Sequence, residues 1–294
     1  MKRLVLTFFL SVACLAMSGR GLKNTNGIWV WSSHMGNVDL QELKDKGIGN
    51  IILHEVSFRK HGEDSTMAFI QAAKKKGILV HIWFQCFYSG GKWIIPVDDE
   101  HNRYKQEYFD EVISRAEHYL DLGVEAIHLD YIRFGGTAHK HNPSPEITAT
   151  GAVTEFCRQI NVRLKAKNPK VVLSAALMPE PDSEHYYGQD PAQMGQYIDI
   201  LMPMIYRHSP AYAKGGEDWY ARVARHFVEK GKPAQVWAGT TTYTGDDGKV
   251  TAMPAEDIAF DCASFAGTGA TGVVLFRYGI GEIPNLKKLK LNRK

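Results

Sequence analysis

The sequence predicts an α/β fold, a single (β/α)8 TIM barrel, from the rhythm of its apolar runs. Eight short runs rich in β-branched residues recur along the chain, and an amphipathic segment follows each of them. The runs are apolar throughout, as strands buried on both faces require. Eight such units in one chain favour a closed barrel over a doubly wound sheet. The predicted strands are 28–31, 51–54, 78–84, 126–130, 171–177, 200–205, 234–238 and 272–276.

Glycines mark the ends of several predicted helices. Gly47, Gly77, Gly123, Gly231 and Gly267 each stand shortly before a predicted strand, where a helix commonly ends in a glycine. They divide the chain into regular strand–helix units. The predicted helices are 38–46, 64–76, 103–122, 149–167, 190–197, 217–231, 254–266 and 283–291.

The amino-terminal segment is typical of an export signal. Residues 1–18 are the expected signal peptide and residues 22–294 the barrel domain. Two basic residues precede an apolar run, 4–17, that is too short to span a bilayer comfortably. We therefore expect a secreted or periplasmic protein without a membrane span. A lipid anchor at Cys14 is the alternative.

Composition and motifs exclude several function classes. The chain is 44% apolar and 23% charged, which is ordinary for a globular protein. Its net charge of +3 is too small to indicate nucleic-acid binding. The sequence lacks phosphate-binding glycine loops and the serine-hydrolase elbow, so we expect no cofactor. Cys86, Cys157 and Cys262 form no spaced pair and are predicted to be buried thiols.

Two long loops follow the third and fourth predicted strands, at 86–102 and 135–148. Loops that follow barrel strands lie on the carboxyl-terminal face, where barrel enzymes hold their active sites. We therefore expect these two loops to shape the substrate site.

Carboxylates at the ends of two neighbouring strands are the candidates for catalysis. Asp130 ends the fourth strand, Glu180 follows the fifth, and Asp182 is the reserve acid. Adjacent strand ends can bring two carboxyl groups to the separation of about 5–9.5 Å that glycoside hydrolysis uses. Asp130 is the expected nucleophile or charge stabiliser, and Glu180 the expected general acid/base. The alternative for Asp130 is a structural ion pair with Arg133.

Supporting roles are expected for Tyr206, Arg133 and His128, which lie at or near the same strand ends. Core packing is the alternative for Tyr206. His128 precedes Asp130 by two residues, so both side chains can point into the barrel. We expect His128 to be a hydrogen-bonded histidine just below the site.

Aromatic side chains cluster near predicted strand ends, where rings can stack on the apolar faces of sugars. Each ring alone is more commonly part of a core, so the cluster is the informative feature. Tyr243 belongs to it as well. The predicted substrate-binding residues are Trp31, Trp83, Trp93, Tyr131, Trp237, Arg277 and Tyr278.

A metal site is the weaker interpretation of the polar strand residues. His54, Glu55, His81 and His128 are possible ligands, but the first strand has no H-x-H and the chain has no H-E-x-x-H. We therefore expect no metal. A metal-dependent hydrolase such as a deacetylase is therefore the second functional alternative, after a barrel that binds glycans without cleaving them.

Two stretches, 123–134 and 197–206, resemble the fourth- and sixth-strand motifs of bacterial glycosyl-hydrolase-like barrel families. The resemblance implies a (β/α)8 fold and a glycosidase, and it places the fourth-strand carboxylate at Asp130. Gly135 stands where those families have proline. The chitinase pattern D-x-x-D-x-D-x-E is not met, because Ile132 occupies the position of its glutamate.

Together these features predict a glycoside hydrolase that acts on a polysaccharide or cell-wall glycan. The first alternative is a barrel that binds glycans without cleaving them. In that case Asp130 and the aromatic mouth would be present without a second carboxylate in reach.

Overall fold

The structure is a computed structural model, and it describes residues 22, 24–212, 216, 218–246 and 248–291. The predicted signal peptide, residues 1–18, and the alternative lipid anchor at Cys14 lie outside the described residues. Within the described part of the chain, no helix is both long and apolar enough to cross a membrane. The structure therefore bears on the predicted barrel domain alone.

Eight parallel strands form a closed barrel in which each strand pairs with its neighbours in chain order. The barrel closes between the first and last strands, where Gly27 is paired with Val274. The predicted (β/α)8 barrel is confirmed. The strands are β1 (Gly27–Val30), β2 (Asn50–His54), β3 (Leu79–Gln85), β4 (Ala126–Asp130), β5 (Val172–Leu177), β6 (Ile200–Pro203), β7 (Gln235–Thr241) and β8 (Gly272–Phe276).

Helices and short turns surround the barrel and cover its outer apolar face. Asp39 and Thr148 cap two of the helices, because their side-chain oxygens accept backbone N–H groups of the first turn. The helices are α1 (Leu40–Asp45), α2 (Val56–His61), α3 (Glu63–Lys75), α4 (Gln106–Asp121), α5 (Ala149–Lys167), α6 (Ser183–Tyr187), α7 (Pro191–Met194), α8 (Trp219–Lys230) and α9 (Ala255–Ala263).

The helix predicted at 283–291 is wrong, because this segment contains no helix. Its apolar residues Ile283, Leu286 and Leu291 are nonetheless buried in the outer core. The backbone N–H of Leu286 donates to the carbonyl of Lys46 at 2.7 Å. An irregular segment therefore buries the side chains whose spacing predicted a helix.

All five glycines follow the end of a helix, as predicted, and four of them have the left-handed conformation that is typical there. Gly47, Gly77, Gly123 and Gly267 have φ between +72° and +95°, the left-handed conformation that ends a helix. Gly231 differs, since its φ is −77°. A Cβ there would lie 2.6 Å from Leu201 Cδ1, so close packing of α8 on β6 requires this glycine.

A chain of hydrogen bonds runs through the barrel interior. Trp29 Nε1 donates to His128 Nε2 at 3.4 Å, so His128 Nδ1 carries the proton and donates to Ser174 Oγ at 3.0 Å. The Ser174 hydroxyl proton is within reach of both His81 Nδ1 at 3.0 Å and the Ile127 carbonyl at 3.4 Å, and His81 Nε2 can donate to Asn50 Oδ1 at 3.4 Å. Both imidazoles are satisfied when neutral. Burial lowers the pKa of His81 to about 3 and that of His128 well below its ordinary value.

The two long loops lie after β3 and β4, as predicted. The first folds into two short hairpins, Tyr88–Ser89 with Lys92–Trp93 and Val97–Asp98 with Arg103–Tyr104. A third hairpin, formed by Tyr243–Asp246 and Lys249–Ala252, follows β7. These loops stand at the carboxyl ends of the strands.

Candidate functional site

A cleft of about 270 Å³ opens at the carboxyl-terminal ends of the strands. Seven aromatic rings make up much of its wall, and the lining holds one carboxyl group, that of Asp130, and one guanidinium, that of Arg133. The cleft is lined by Trp29, Trp31, Trp83, Asp130, Tyr131, Arg133, Met204, Tyr206, Ser209, Thr241, Tyr243, Gly245 and Phe276.

Asp130 is the last residue of β4 and is 9% exposed. Trp83 Nε1 donates to its Oδ2 at 2.9 Å, and the Tyr131 N–H donates to its Oδ1 at 2.7 Å. Burial raises the pKa of Asp130, and these two hydrogen bonds and the nearby Arg133 oppose that rise only in part. The carboxyl group can therefore retain a proton at a higher pH than an ordinary aspartate.

Tyr206 faces the same cleft after the end of β6. Its ring stacks on Phe276 with centroids 5.5 Å apart. Burial, reinforced by the charge of Asp130, raises the pKa of Tyr206 well above its ordinary value, so the phenol stays protonated. Thr241 Oγ1 is buried in the cleft wall without a hydrogen-bond partner among the described residues. Both hydroxyls are available to a polar ligand.

Arg133 lies in a cage of three aromatic rings. Its guanidinium carbon is 4.5 Å from the ring centre of Trp93, 5.2 Å from that of Tyr187 and 5.7 Å from that of Tyr131. Nη1 donates to the carbonyl of Phe134 at 3.1 Å. No ion pair within 4 Å joins Arg133 to Asp130, so the structural pair considered as the alternative for Asp130 is not formed.

Glu180 is not among the residues that line the cleft. Its Oε1 accepts hydrogen bonds from the Tyr212 hydroxyl at 2.9 Å and from the Tyr187 hydroxyl at 3.5 Å. Its Oε2 is buried without a described partner. The chain makes a turn after β5, since the Ser183 N–H donates to the Glu180 carbonyl at 3.2 Å.

Asp182, the predicted reserve acid, is also absent from the lining of this cleft. It lines a separate open cavity together with Glu184 and two histidines, His139 and His185. The two imidazole rings are stacked, with centroids 4.7 Å apart. Neither Glu180 nor Asp182 is among the residues that line the cleft with Asp130, and the predicted pairing of two carboxyl groups stays a prediction.

The predicted aromatic cluster divides into three groups. Trp31, Trp83 and Tyr131 line the cleft, and the rings of Trp31 and Trp83 lie 4.7 Å apart. Trp93 stands behind them, with its ring centre 5.6 Å from that of Tyr131. Trp237 was misplaced: its fully buried ring lies deep in the barrel, 6.2 Å from that of His81.

Arg277 and Tyr278 follow β8 at the rim. The Arg277 guanidinium lies 6.0 Å from the ring centre of Trp31, which lines the cleft. The Tyr278 hydroxyl donates to the Asn37 carbonyl at 2.8 Å and so ties this rim to the loop after β1. Tyr278 is therefore positioned as a structural contact beside the mouth, whereas Arg277 is close enough to the wall to contact a ligand.

The histidines considered as metal ligands have other environments. Among the described residues, no group of three or more His, Cys, Asp or Glu side chains could hold a metal ion. His81 and His128 belong to the interior hydrogen-bond chain. His54 packs against Trp31 and Trp83, and burial lowers its pKa to about 4.

Sequence reasoning missed several residues of the cleft wall. Phe276 is the last residue of β8, so the strand-end rule could have found it, whereas Thr241 ends β7 beyond the predicted strand end at residue 238. Trp29 lies inside β1, and Ser209 and Gly245 lie in loops whose path no local pattern indicates. Tyr187 and Tyr212, which hold Glu180, carry no distinctive sequence signal.

Fold and cleft together define a (β/α)8 barrel with an aromatic, carboxyl-bearing mouth. Residues 90–221, from the loop after β3 to the start of α8, match the sequence model of a family described as "Putative glycosyl hydrolase domain". The resemblance to glycosyl-hydrolase-like barrels is thereby confirmed. No curated protein sequence matches the chain significantly.

Solved structures of low sequence identity share the fold. A class V chitinase from Pseudomonas fluorescens Pf-5 has a TM-score of 0.65 at 14% identity, over 88% of this chain and 96% of that one. The spore cortex-lytic enzyme SleL of Bacillus megaterium QM B1551 has a TM-score of 0.62 at 14% identity, over 90% and 73%. A family 18 N-acetylglucosaminidase from Paenibacillus barengoltzii has a TM-score of 0.59 at 13% identity, over 87% of this chain and 95% of that one.

Proposed function

We propose that the protein is an exported glycoside hydrolase that cleaves a polysaccharide or cell-wall glycan in the cleft at the carboxyl-terminal face. The observation that carries this proposal is the placement of Asp130, a buried carboxyl group with a raised pKa in a cleft walled by aromatic rings. Rings of this kind stack on sugar faces, and the family match supports the same reaction class.

We assign the role of general acid to Asp130, because its raised pKa favours the protonated form, and this reverses the role predicted from the sequence. A protonated Asp130 would donate its proton to the glycosidic oxygen as the bond to the anomeric carbon breaks. Trp83 and the Tyr131 N–H then stabilise the carboxylate that forms. Tyr206, which stays protonated, can donate a hydrogen bond to a sugar hydroxyl.

Glycoside hydrolysis also requires a base or nucleophile. Glu180 is the candidate from the neighbouring strand, because its Oε2 has no described partner. In this role Glu180 would activate water or attack the anomeric carbon. The variant Glu180→Gln tests the role of Glu180 as base or nucleophile independently of the role of Asp130 as acid.

The test is the release of reducing ends from a panel of polysaccharides. We expect Asp130→Asn to lower turnover at least about 10³-fold while the folded state is retained. Asp121→Asn, a change in an exposed carboxyl group of α4 that pairs with Lys167, is the matched control. Turnover by Asp130→Asn within a few fold of wild type would exclude Asp130 as the acid.

A second candidate function is a barrel that binds glycans without cleaving them. It is favoured by the position of Glu180, which does not line the cleft, and by Ile132, which is fully buried where the chitinase pattern has its glutamate. Glycan binding with no reducing ends released by the wild-type protein would identify this function.

A further inference from the structure

The cleft has an unusual charge arrangement for a site that would bind a neutral glycan. Its lining holds one carboxyl group, that of Asp130, and one guanidinium, that of Arg133. A second guanidinium, that of Arg277, lies at the rim over the ring of Trp31. Neither arginine forms an ion pair with any described acidic residue. The cleft and its rim therefore hold two cations and a single, buried carboxyl group.

Arg133 has hydrogen-bond donors that the protein leaves unused. Nη1 donates to the Phe134 carbonyl, Nε is buried without a partner, and Nη2 donates to no described group. The rings of Trp93, Tyr131 and Tyr187 fix the plane of the guanidinium and exclude water from its faces. A guanidinium with free donors presents a fork that matches a carboxylate, and a buried donor strongly favours acquiring a partner.

Arg277 supports the same conclusion from the opposite wall. Its backbone is fixed, because its N–H donates to Thr242 Oγ1 at 3.1 Å and its carbonyl accepts from the same hydroxyl at 2.8 Å. Its side chain is free of acidic partners and reaches the ring of Trp31. A sugar that stacks on the cleft rings would thus lie between two positively charged groups.

We propose that the cleft selects an acidic sugar, one that carries a carboxylate, and that Arg133 binds this carboxylate with Arg277 as a second cationic contact. This inference names the substrate class of the proposed hydrolase and rests on that function for the identity of the site. A neutral sugar would leave the donors of Arg133 unsatisfied. The aromatic walls account for sugar binding, and the two arginines account for the preference for charge.

The test compares hexuronic-acid oligosaccharides, both α- and β-linked, with the same oligosaccharides after reduction of their carboxyl groups to alcohols. Binding is measured by titration calorimetry at low salt in Asp130→Asn protein, so that no substrate is consumed. We expect at least one acidic oligosaccharide to bind about 10-fold to 100-fold more tightly than its reduced form. Turnover by Asp130→Asn would contradict the hydrolase proposal. Equal binding of the acidic and the reduced oligosaccharides would contradict the proposed selection of an acidic sugar.

Arg133→Gln is expected to abolish the preference for the acidic form, so that the ratio of the two affinities falls to about one. Arg158→Gln, which changes an exposed arginine of α5 paired with Glu155, is the matched control and should preserve the preference. If Arg133→Gln does not fold, Arg277→Gln at the rim should weaken the preference several-fold. Equal binding of the two forms, tighter binding of the reduced form, or no binding of any acidic oligosaccharide would overturn the proposal.

Discussion

Replacing Trp83 with phenylalanine should raise the pKa of Asp130 further. The indole N–H of Trp83 donates to Oδ2 of Asp130 at 2.9 Å, and this bond favours the charged form of the carboxyl group. Phenylalanine retains an aromatic ring in the barrel but has no donor. The variant therefore removes one electrostatic contribution while the fold around it is kept.

The size of this effect follows from the strength of the bond. A hydrogen bond to a charged acceptor contributes about 1.5–3 kcal/mol, and one pKa unit corresponds to about 1.4 kcal/mol. Loss of the Trp83 bond alone would raise the pKa by about 1–2 units. The smaller phenyl ring can admit water beside the carboxyl group, which lowers its pKa, so we expect a net rise of about one unit.

The assay is a pH titration followed by NMR of ¹³C-labelled aspartate carboxyl groups, with the Asp130 resonance assigned from its absence in Asp130→Asn. Trp237→Phe is the matched control, because Trp237 is a second buried indole whose Nε1 donates to Gln235. The control should leave the titration of Asp130 unchanged. An Asp130 pKa in Trp83→Phe that is equal to or lower than the wild-type value would refute the reasoning.

Two further outcomes are expected elsewhere in the barrel. Lys165→Met removes the ammonium group that lies 2.8 Å from the Asp199 carboxylate, which is 14% exposed at the lower end of β6. The variant should lower the free energy of unfolding, measured in urea, by about 2 kcal/mol. A loss under about 0.5 kcal/mol would contradict this expectation. The neutral form of His81 stabilises the fold fully above pH 6.5, and this contribution falls as the pH drops towards 3. His81→Asn should therefore lose about 3 kcal/mol less stability than wild type between pH 7 and pH 4, and parallel losses in the two proteins would argue against a depressed pKa.

The strands were predictable because a barrel strand is apolar on both faces, and this leaves a continuous signal in the sequence. The conformation of the segment 283–291 was not predictable, since its apolar residues have helical spacing but are buried by an irregular backbone. Local periodicity indicates which residues are buried. It does not indicate which backbone conformation buries them, because that depends on contacts such as the one between Leu286 and Lys46.

The candidate site was predicted in part, and strand boundaries account for one of its errors. Asp130 was placed correctly because the end of β4 was predicted at the right residue. β7 was predicted to end at residue 238, which placed Trp237 near the mouth, but the strand continues to Thr241. Trp237 is paired with Gly272, the first residue of β8, and is therefore near the lower end of the barrel.

Glu180 shows a different limit. Its position after β5 followed from the sequence, but the direction of its side chain depends on Tyr187 and Tyr212, which hold the carboxylate outside the cleft lining. These tyrosines come from loops that follow two different strands. A pattern read along one segment cannot reveal which side chain of another loop will reach it.

The two proposals about the cleft depend on one another through charge. Asp130 can donate a proton only while it is protonated, and a carboxylate brought close to it by a bound sugar would disfavour its ionised form. Arg133 and Arg277 would hold that second carboxylate, so that the sugar can bind despite the acid nearby. An acidic substrate would thus help to keep Asp130 in its proton-donating form, and release of the sugar would remove that effect. The same arrangement explains why the cleft can combine a buried aspartate with two cations that form no ion pair with it.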